Sequence, residues 1–427
     1  MVLLEQQLNN CHLETKLDRD EFLADSPFTV GWILDCLDST DNDFKTFVEQ
    51  GNLTKVTAVD ISEGKGFVSK VYNVSIFKDH AKDPYCVIMK APGTESFAEA
   101  IKDTYTNGEE NPMQEDMVMK FHNYECDFYL DYADHLDIPL ARIFKIQKAI
   151  PEKNQKGVLV MESLVARSEQ YPFQNDATEG QVYEIAKQIA KFQSYILSLP
   201  TEKWLGKHNN SHIVEVFSKG DFFGPFFDKL KKLKPGVFDA GIEVYDKYKT
   251  QFNFSMYTNV GVYKDLGLPP VLSHGDFSNN NLLWKLNPDG SFSDELAAII
   301  DWQTIHEGCL TTDLCRFICV NVSGELRRRI EDDVLKFYYD TLGELMKEKG
   351  KELSFGFDQV KRAYRANFVS QTMVTLIVGP FLLAKEWSEE EKPKKQAELD
   401  HFLERARMAL EDGVERLREI PEEKLLD

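Results

Sequence analysis

The amino-acid sequence predicts an α+β protein with two lobes, a small antiparallel β-rich lobe at residues 1–164 and a larger helical lobe at residues 165–427 that contains one β-hairpin. Three observations support this fold class. The chain has 427 residues, which exceeds what a single hydrophobic core usually organises. Short β-branched and aromatic runs dominate residues 55–91, and apolar residues recur at helical spacing in the second lobe.

Strand-forming segments are concentrated in the first lobe. Five short runs have the composition of strands: 56–61, 71–77, 85–90, 141–147 and 158–161. A glycine-bearing turn at 63–69 joins the first two, and a helix is predicted over residues 114–135. We expect residues 1–50 to form a helical extension of this lobe.

Helical periodicity dominates the second lobe. Six apolar residues recur at the spacing of one helix face: Val182, Ile185, Ala186, Ile189, Phe192 and Ile196. Asp176 or Thr178 can cap this helix at its start, and Pro200 follows its end. Three further segments are predicted to be helices: 326–349, 357–384 and 394–419.

The charge balance and the cysteine pattern narrow the classes of partner. A formal net charge of −21 gives a surface that repels nucleic acid and anionic lipid at long range. The longest apolar run, 373–384, is interrupted by Gly379-Pro380 and is too short to span a bilayer. The seven scattered cysteines favour a reducing, cytoplasmic compartment, and we interpret Cys315 and Cys319 as buried thiols rather than metal ligands. We therefore expect no nucleic-acid or membrane partner.

A β-hairpin is predicted within the helical lobe. Residues 282–286 and 296–300 have the composition of strands, and Asn287-Pro-Asp-Gly290 is a strong turn signal between them. Asn281 directly precedes the first strand, and Asp301 directly follows the second. Because antiparallel partners lie about 5 Å apart, the amide of Asn281 and the carboxylate of Asp301 should lie side by side.

The loop before the hairpin adds a second carboxylate, Asp276, within the sequence His274-Gly275-Asp276. Amide and carboxylate oxygens in this arrangement suit Mg²⁺, which commonly takes one or two protein ligands. Phosphoryl transfer needs an Asp that orients or accepts the proton of the acceptor hydroxyl, and an Asn and a second Asp that hold the metal. The alternative explanation is an ordinary pair of Asx-rich turns.

The spacing H-G-D-x-x-x-x-N, followed by I-D-W, resembles the catalytic signature of the aminoglycoside phosphotransferase and choline kinase group. The resemblance is closest to the CHK-kinase-like, or ecdysteroid-kinase-like, family, because Ile300-Asp301-Trp302-Gln303 and Thr312-Asp313-Leu314 match later segments of that family. It implies the bilobal protein-kinase-like fold and an enzyme that uses ATP and Mg²⁺. Its firm part is residues 271–315.

The same resemblance assigns roles to the residues of this segment. It implies that Asp276 is the catalytic base and that Asn281 and Asp301 are the metal ligands. It also implies that His274 braces the loop and that Asp313 supports the site without taking part in the chemistry.

A nucleotide clamp in the first lobe is a further implication of the resemblance. Lys90 ends a predicted strand, from which a lysine reaches the phosphates of ATP. Glu125 matches the family's helix glutamate that pairs with this lysine, although Glu115 lies close by as an alternative. Taken alone, Lys90 would be a solvated strand end.

The glycine turn and the hinge complete the expected nucleotide site. Gly64-x-Gly66-x-x-Ser69 departs from the protein-kinase loop because Ser69 stands in place of a third glycine. The backbone amides from Gly66 to Ser69 could still cover phosphates, and a plain hairpin turn is the alternative. Residues 161–164, which include Glu162, look like an interlobe hinge whose backbone would bind adenine.

A small hydroxyl compound is the expected acceptor. Protein kinases carry a long activation segment that ends in Ala-Pro-Glu. Here eleven residues separate Asp301 from Asp313, which leaves too little chain for a peptide platform. The aromatic segment 217–227 either lines a pocket for a sterol-like or other lipophilic alcohol or anchors a helix, and residues 371–383 are a second candidate wall.

Two other functions remain as alternatives from the sequence. A kinase-fold protein that binds ligands or acts as a scaffold without turnover is consistent with the departure at Ser69. A metal-dependent phosphohydrolase would use similar acidic residues, but it would not need Lys90 or a β-rich clamp before the site.

Overall fold

The computed structural model describes residues 17–62, 68–93, 115–209, 214, 218, 221–382 and 387–427. The chain divides into two compact units, one formed by Met1–Ser96 with Arg142–Ser163 and the other by Phe97–Ala141 with Leu164–Asp427. The segment 97–141 therefore belongs to the second unit, whereas the sequence placed it in the first lobe. The last boundary, between Ser163 and Leu164, falls within the segment interpreted as a hinge.

An antiparallel five-stranded sheet forms the first unit. Its strands are β1 (Leu53–Asp60), β2 (Ser69–Lys78), β3 (Tyr85–Pro92), β4 (Ile143–Gln147) and β5 (Val158–Glu162). Their spatial order is β1-β2-β3-β5-β4, with β3 in the centre, and each neighbouring pair is antiparallel. All five were expected from their β-branched composition, although β4 begins two residues later than predicted.

Two short helices complete the core of the first unit. Helix α1 (Val30–Thr40) is capped at its start by Thr29, whose side chain accepts the backbone N–H of Trp32. Helix α2 (Asn42–Glu49) follows it. Ile33 and Leu37 of α1 are buried in one cluster with apolar residues of the sheet. The described part of the expected helical extension is thus helical over these two elements, and residues 1–16 lie outside the described part of the chain.

Ten helices are described in the second unit: α3 (Glu115–Asp131), α4 (Glu179–Ser198), α5 (Gly224–Leu233), α6 (Asp239–Asp246), α7 (Phe252–Met256), α8 (Val262–Asp265), α9 (Thr312–Asn321), α10 (Gly324–Glu348), α11 (Phe357–Leu382) and α12 (Lys392–Leu417). Thr178 caps α4 in a reciprocal pair with Gln181, one of the two caps that the sequence offered. The three long helices predicted near the C-terminus are confirmed to within two residues at each described end, and residues 383 and 384 of the second prediction lie outside the described part of the chain.

The predicted hairpin is present in the second unit as β8 (Leu282–Leu286) and β9 (Phe292–Ile299). From the sequence we expected no other strands in this unit, and that prediction was incomplete. Strand β6 (Ser168–Gln170) extends the hairpin to three strands, and β7 (Val271–Ser273) pairs with β10 (His306–Gly308). Strands of three residues carry too little alternation to be recognised from composition. The α+β class, with its antiparallel β-rich unit and a larger helical unit containing the hairpin, is confirmed.

Two of the cysteines lie on one helix of this unit. Cys315 and Cys319 are buried free thiols on α9, and burial raises the pKa of both. Within the described residues, no group of three or more His, Cys, Asp or Glu side chains is arranged to hold a metal ion. No described helix combines the length and the apolar character needed to cross a membrane.

Candidate active site

Asp313 fixes the loop that carries Asp276. This aspartate lies in the first turn of α9 and is buried. Its two carboxylate oxygens accept the backbone N–H groups of His274 at 2.8 Å and of Gly275 at 2.9 Å. Hydrogen bonds from backbone amides to a charged carboxylate are among the stronger ones in proteins, so Asp313 holds the loop in one conformation.

Gly275 is required by the path of this loop. Its φ is +89°, in the region that favours glycine. A Cβ at this position would lie 2.5 Å from the carbonyl oxygen of Thr304 and 2.8 Å from Nδ1 of His306. The hydroxyl of Thr304 also donates to the carbonyl of His274 at 2.8 Å, so the loop and the segment after β9 are tightly joined.

His274 bridges the loop to the end of the hairpin. Its Nδ1 accepts the backbone N–H of Asp276 at 3.3 Å, which leaves Nε2 as the protonated nitrogen. Nε2–H donates to the carbonyl of Ile300 at 2.9 Å, one residue before Asp301. The imidazole is buried and makes both contacts with backbone, so it joins the loop to the end of the hairpin.

The carboxylate of Asp276 is held between two donors. Nδ2 of Asn281 donates to its Oδ2 at 3.1 Å and to the carbonyl of Asp276 at 2.9 Å. On the other oxygen, Nη1 of Arg316 lies 3.4 Å from Oδ1. The side chain of Asp276 is 45% exposed, so part of the carboxylate faces solvent. The geometry therefore leaves Asp276 accessible to a hydroxyl group.

The hairpin register brings Asn281 and Asp301 to the same end of the β8–β9 pair. Leu282 lies opposite Ile299, and the N–H of Ile300 donates to the carbonyl of Asn281 at 2.9 Å. Asp301 follows immediately and has a φ of +67°, which is uncommon for a residue other than glycine. Such backbone strain concentrates at functional sites.

The donor set at this end of the hairpin fits a hard divalent cation. Because Nδ2 of Asn281 is engaged by Asp276, its Oδ1 is the atom that can act as a ligand. Asp301 contributes a carboxylate, one oxygen of which accepts Nε2–H of Gln303 at 3.2 Å. One amide oxygen and one carboxylate satisfy the usual protein share of an Mg²⁺ shell, the rest being phosphate and water.

Helix α3 is attached to this site through an aromatic stack. The ring of Phe128 lies parallel to Trp302, with centroids 3.7 Å apart, and Trp302 directly follows Asp301. Glu125 is buried on this helix, whereas Glu115 is exposed at its start, which favours Glu125 as the functional glutamate. Burial raises the pKa of Tyr129 well above its usual range, and the nearby carboxylates of Glu125 and Asp301 add to this.

The hydroxyl of Tyr129 gives a test of local packing. It is buried and has no hydrogen-bond partner among the described residues, whereas the buried hydroxyl of Tyr338 donates to Gln193. We expect Tyr338→Phe to lower the free energy of unfolding by about 1–3 kcal/mol and Tyr129→Phe to leave it unchanged or slightly raised. Urea denaturation of the two variants measures the difference. Equal losses would mean that Tyr129 has a partner.

The remaining predicted residues lie in the first unit. Lys90 is 7% exposed on the central strand β3, between Val71 of β2 and Leu159 of β5, so it is not a solvated strand end. Ser69 is buried at the start of β2, and Gly66 lies outside the described residues.

Glu162 is engaged within the sheet. Its carboxylate accepts the backbone N–H of Arg142 at 2.9 Å, and its own N–H donates to the carbonyl of Arg142 at 2.9 Å. The backbone N–H of Glu162 is therefore already hydrogen-bonded within the protein. A backbone N–H that donates to adenine would have to come from a neighbouring residue.

Two residues near Asp276 were missed by the sequence reasoning. Arg316 pairs with Asp276, and His306 packs under Gly275 with Nδ1–H donating to the carbonyl of Thr304 at 3.0 Å. A signal for Arg316 was present, because it lies three residues after Asp313 and residues at that spacing share a helix face. His306 carried no comparable signal, since its three-residue strand was not recognised.

Comparison with known proteins places the chain in a family. A model of the DUF1679 family, described as "Uncharacterized oxidoreductase dhs-27", matches residues 33–418. The chain belongs to the DUF1679 family. Two curated relatives of this DUF1679 chain come from Caenorhabditis elegans. "Uncharacterized oxidoreductase dhs-27" is 26% identical over 84% of the chain, and "Uncharacterized kinase-like protein D1044.1" is 23% identical over 78%.

The two relatives differ in how much of their own length this chain covers. The DUF1679 chain spans 42% of the oxidoreductase-named relative and 84% of the kinase-like one. Among solved structures, the ADP-bound aminoglycoside phosphotransferase APH(2'')-Ib aligns over 86% of this chain and 99% of its own, at 14% identity and a TM-score of 0.38.

Proposed function

We propose that this protein is a small-molecule kinase that transfers a phosphoryl group from ATP, with Mg²⁺, to a hydroxyl group of a pocket-sized acceptor. The observation that carries the proposal is the hydrogen-bonded unit of Asp276 and Asn281 at the base of a hairpin that ends in Asp301. Phosphoryl transfer needs a base, an amide and a second carboxylate in such proximity. The alternative is that Asp276 and Asn281 belong only to ordinary turns. Such turns would not require a buried carboxylate, here Asp313, to hold the backbone at His274 and Gly275.

Each residue has a defined part in this mechanism. Asp276 orients the acceptor hydroxyl and accepts its proton as the bond from its oxygen to the γ-phosphorus forms. The bond from that phosphorus to the β–γ bridging oxygen of ATP breaks in the same transfer, and ADP leaves. Asn281 and Asp301 would hold Mg²⁺, which would supply the positive charge that offsets the transferring phosphoryl group. His274 and Asp313 keep these residues in position through the backbone contacts described above.

The nucleotide-binding roles belong to the same proposal. We assign Lys90 to the phosphates of ATP and Glu125 to a supporting role in nucleotide binding, as the resemblance to CHK-like kinases implies. Both side chains are buried, so neither is an ordinary solvated surface charge. Ser69 and the backbone of residues 161–164 complete the proposed nucleotide site.

The aromatic segment 217–227, which the sequence offered either as a lipophilic wall or as a helix anchor, supports the second interpretation where it is described. Four phenylalanines of the aromatic segment are buried in the helical core: Phe222, Phe223, Phe226 and Phe227. They pack with Tyr245, Phe254 and Met373, so they anchor α5 and do not form an open apolar surface. A hydroxyl acceptor remains the proposal, without preference for a sterol.

The name of one relative raises the alternative of an oxidoreductase. Dinucleotide-binding oxidoreductases of the doubly wound type use a parallel sheet with crossover helices. Every strand pairing in the described residues of this chain is antiparallel. The kinase proposal therefore fits this chain better.

Nucleotide binding can be tested directly. A ligand that binds only the folded state stabilises it by about 2.7 kcal/mol at a concentration of 100 Kd. We expect ATP with Mg²⁺ to raise Tm, and we expect this rise to shrink when EDTA replaces Mg²⁺ or when Asp301 is changed to Asn. Phosphorylation of sterols, amino alcohols and glycosides is then measured with labelled ATP and product mass. A Tm that does not respond to MgATP would favour a protein that kept the fold without nucleotide use.

A further inference from the structure

Arg316 places a positive charge directly beside Asp276. It lies on α9, three residues after Asp313, on the helix face that supports the loop. Its Nη1 is 3.4 Å from Oδ1 of Asp276, and its side chain is only 12% exposed. Among the described residues, Asp276 is the one carboxylate within salt-bridge distance of this guanidinium. The charge is therefore fixed at the site and is not a mobile surface cation.

Packing, as well as charge, holds the guanidinium in place. Nε of Arg316 is buried and has no hydrogen-bond partner among the described residues. A side chain with a buried Nε cannot swing into solvent without moving its neighbours. An acceptor that binds at Asp276 therefore meets a fixed cation next to the base.

The open part of the Asp276 carboxylate is where an acceptor hydroxyl must bind. Asn281 and Arg316 occupy the two oxygens from the protein side, so the hydroxyl approaches from the exposed side. A substituent close to that hydroxyl then lies within a few ångströms of Arg316. A positively charged substituent would be repelled there, and a carboxylate or a hydrogen-bonding oxygen would be attracted.

The net charge of the whole chain does not oppose this effect. The formal charge of −21 attracts cations at long range, but exposed charges are screened beyond about 8 Å at physiological ionic strength. Arg316 is partly buried and close, so it is screened much less. Selection between acceptors of different charge at this site therefore depends on Arg316 and not on the net charge of the chain.

We propose that Arg316 determines acceptor specificity, so that the site takes hydroxyl compounds that are neutral or anionic near the reacting hydroxyl and rejects those with an ammonium group there. This inference rests on the proposed kinase function. It separates this chain from any kinase whose acceptor is a cationic amino alcohol or amino sugar. Arg316 also positions Asp276, but positioning alone would not distinguish acceptors by charge.

The test uses matched acceptors on one hydroxymethyl-cyclohexane skeleton that carries a carboxylate, a carboxamide or an aminomethyl group. With labelled ATP and the full-length protein, we expect kcat/KM for the aminomethyl compound to be at least about tenfold below that for the carboxamide. Arg316→Gln should reduce this ratio, Arg316→Glu should invert it, and Arg316→Lys should preserve it. The ratio within each variant cancels any general loss of activity.

Arg329→Gln is the matched control, because Arg329 is exposed and pairs with Glu179 at the surface of α10. It should leave both activity and ratio unchanged. Preference of the wild-type protein for the aminomethyl compound, or an unchanged ratio in Arg316→Glu, would overturn the assignment of Arg316 while leaving the kinase proposal intact. A protein that does not bind MgATP in the thermal assay would contradict the kinase proposal itself.

Discussion

Replacement of Asp276 by Asn is expected to lower kcat by about 10²–10⁴-fold, the usual contribution of a positioned general base. The single amide oxygen can accept from only one of the two donors, Arg316 and Asn281, but Asp313 still holds the loop backbone, so the loop should keep its conformation. The amide cannot accept the proton of the acceptor hydroxyl. Binding of MgATP should therefore be retained, and the thermal shift with nucleotide should stay close to that of the wild type. Turnover with labelled ATP measures the loss.

Asp289→Asn provides the control for loss of one carboxylate from the same hairpin. Asp289 lies in the turn between β8 and β9, where its side chain accepts the backbone N–H of Ser291 at 3.0 Å. The hydroxyl of Ser291 also donates to this carboxylate at 2.7 Å, and these two hydrogen bonds lower the pKa of Asp289 without involving the site. We expect full activity in this variant. Retention of most activity by Asp276→Asn would show that the base is another group.

Gly275→Ala is expected to reduce the free energy of unfolding by about 3 kcal/mol or more and to abolish turnover. Two effects combine in this variant. A side chain at positive φ costs about 1–2 kcal/mol. The new methyl group would also lie 2.5 Å from the carbonyl oxygen of Thr304, so the loop or the segment after β9 must shift. Either shift disturbs the backbone contacts that hold Asp276.

Gly290→Ala separates these two effects. Gly290 has a similar φ of +83° in the turn of the hairpin, but a Cβ there would meet no atom within 4 Å. This variant should lose only the conformational part, about 1–2 kcal/mol, and should keep its activity. Urea denaturation and turnover of both variants make the comparison. Equal losses in the free energy of unfolding would contradict this expectation, because they would mean that the loop relieves the contact at Gly275 without loss of stability.

The part of the site that was predictable from sequence is the part encoded locally. The turn Asn287–Gly290 lies between two β-branched or apolar runs, and turn type fixes hairpin register over short distances. The meeting of Asn281 and Asp301 at one end of the hairpin follows from that register. Thr178 and the three C-terminal helices were likewise predictable, because caps and helical periodicity are local signals.

Features that depend on contacts distant in sequence were not predictable. The membership of α3 in the second unit depends on the stack of Phe128 with Trp302, 174 residues away in the chain. The fate of the phenylalanines at 222–227 depended on α11 and α12, which bury them. In both cases the aromatic residues were recognised, but composition does not specify which surface covers them.

The interleaved order of the two units limits how this protein can be dissected by expression of its parts. A fragment cut at residue 165 would separate Trp302 from Phe128 and leave α3 on the wrong half. The end of the hairpin next to Asp301 would then lose its aromatic support. Expression of the hairpin-bearing half as a stable piece requires residues 97–141 to be rejoined to it by a linker.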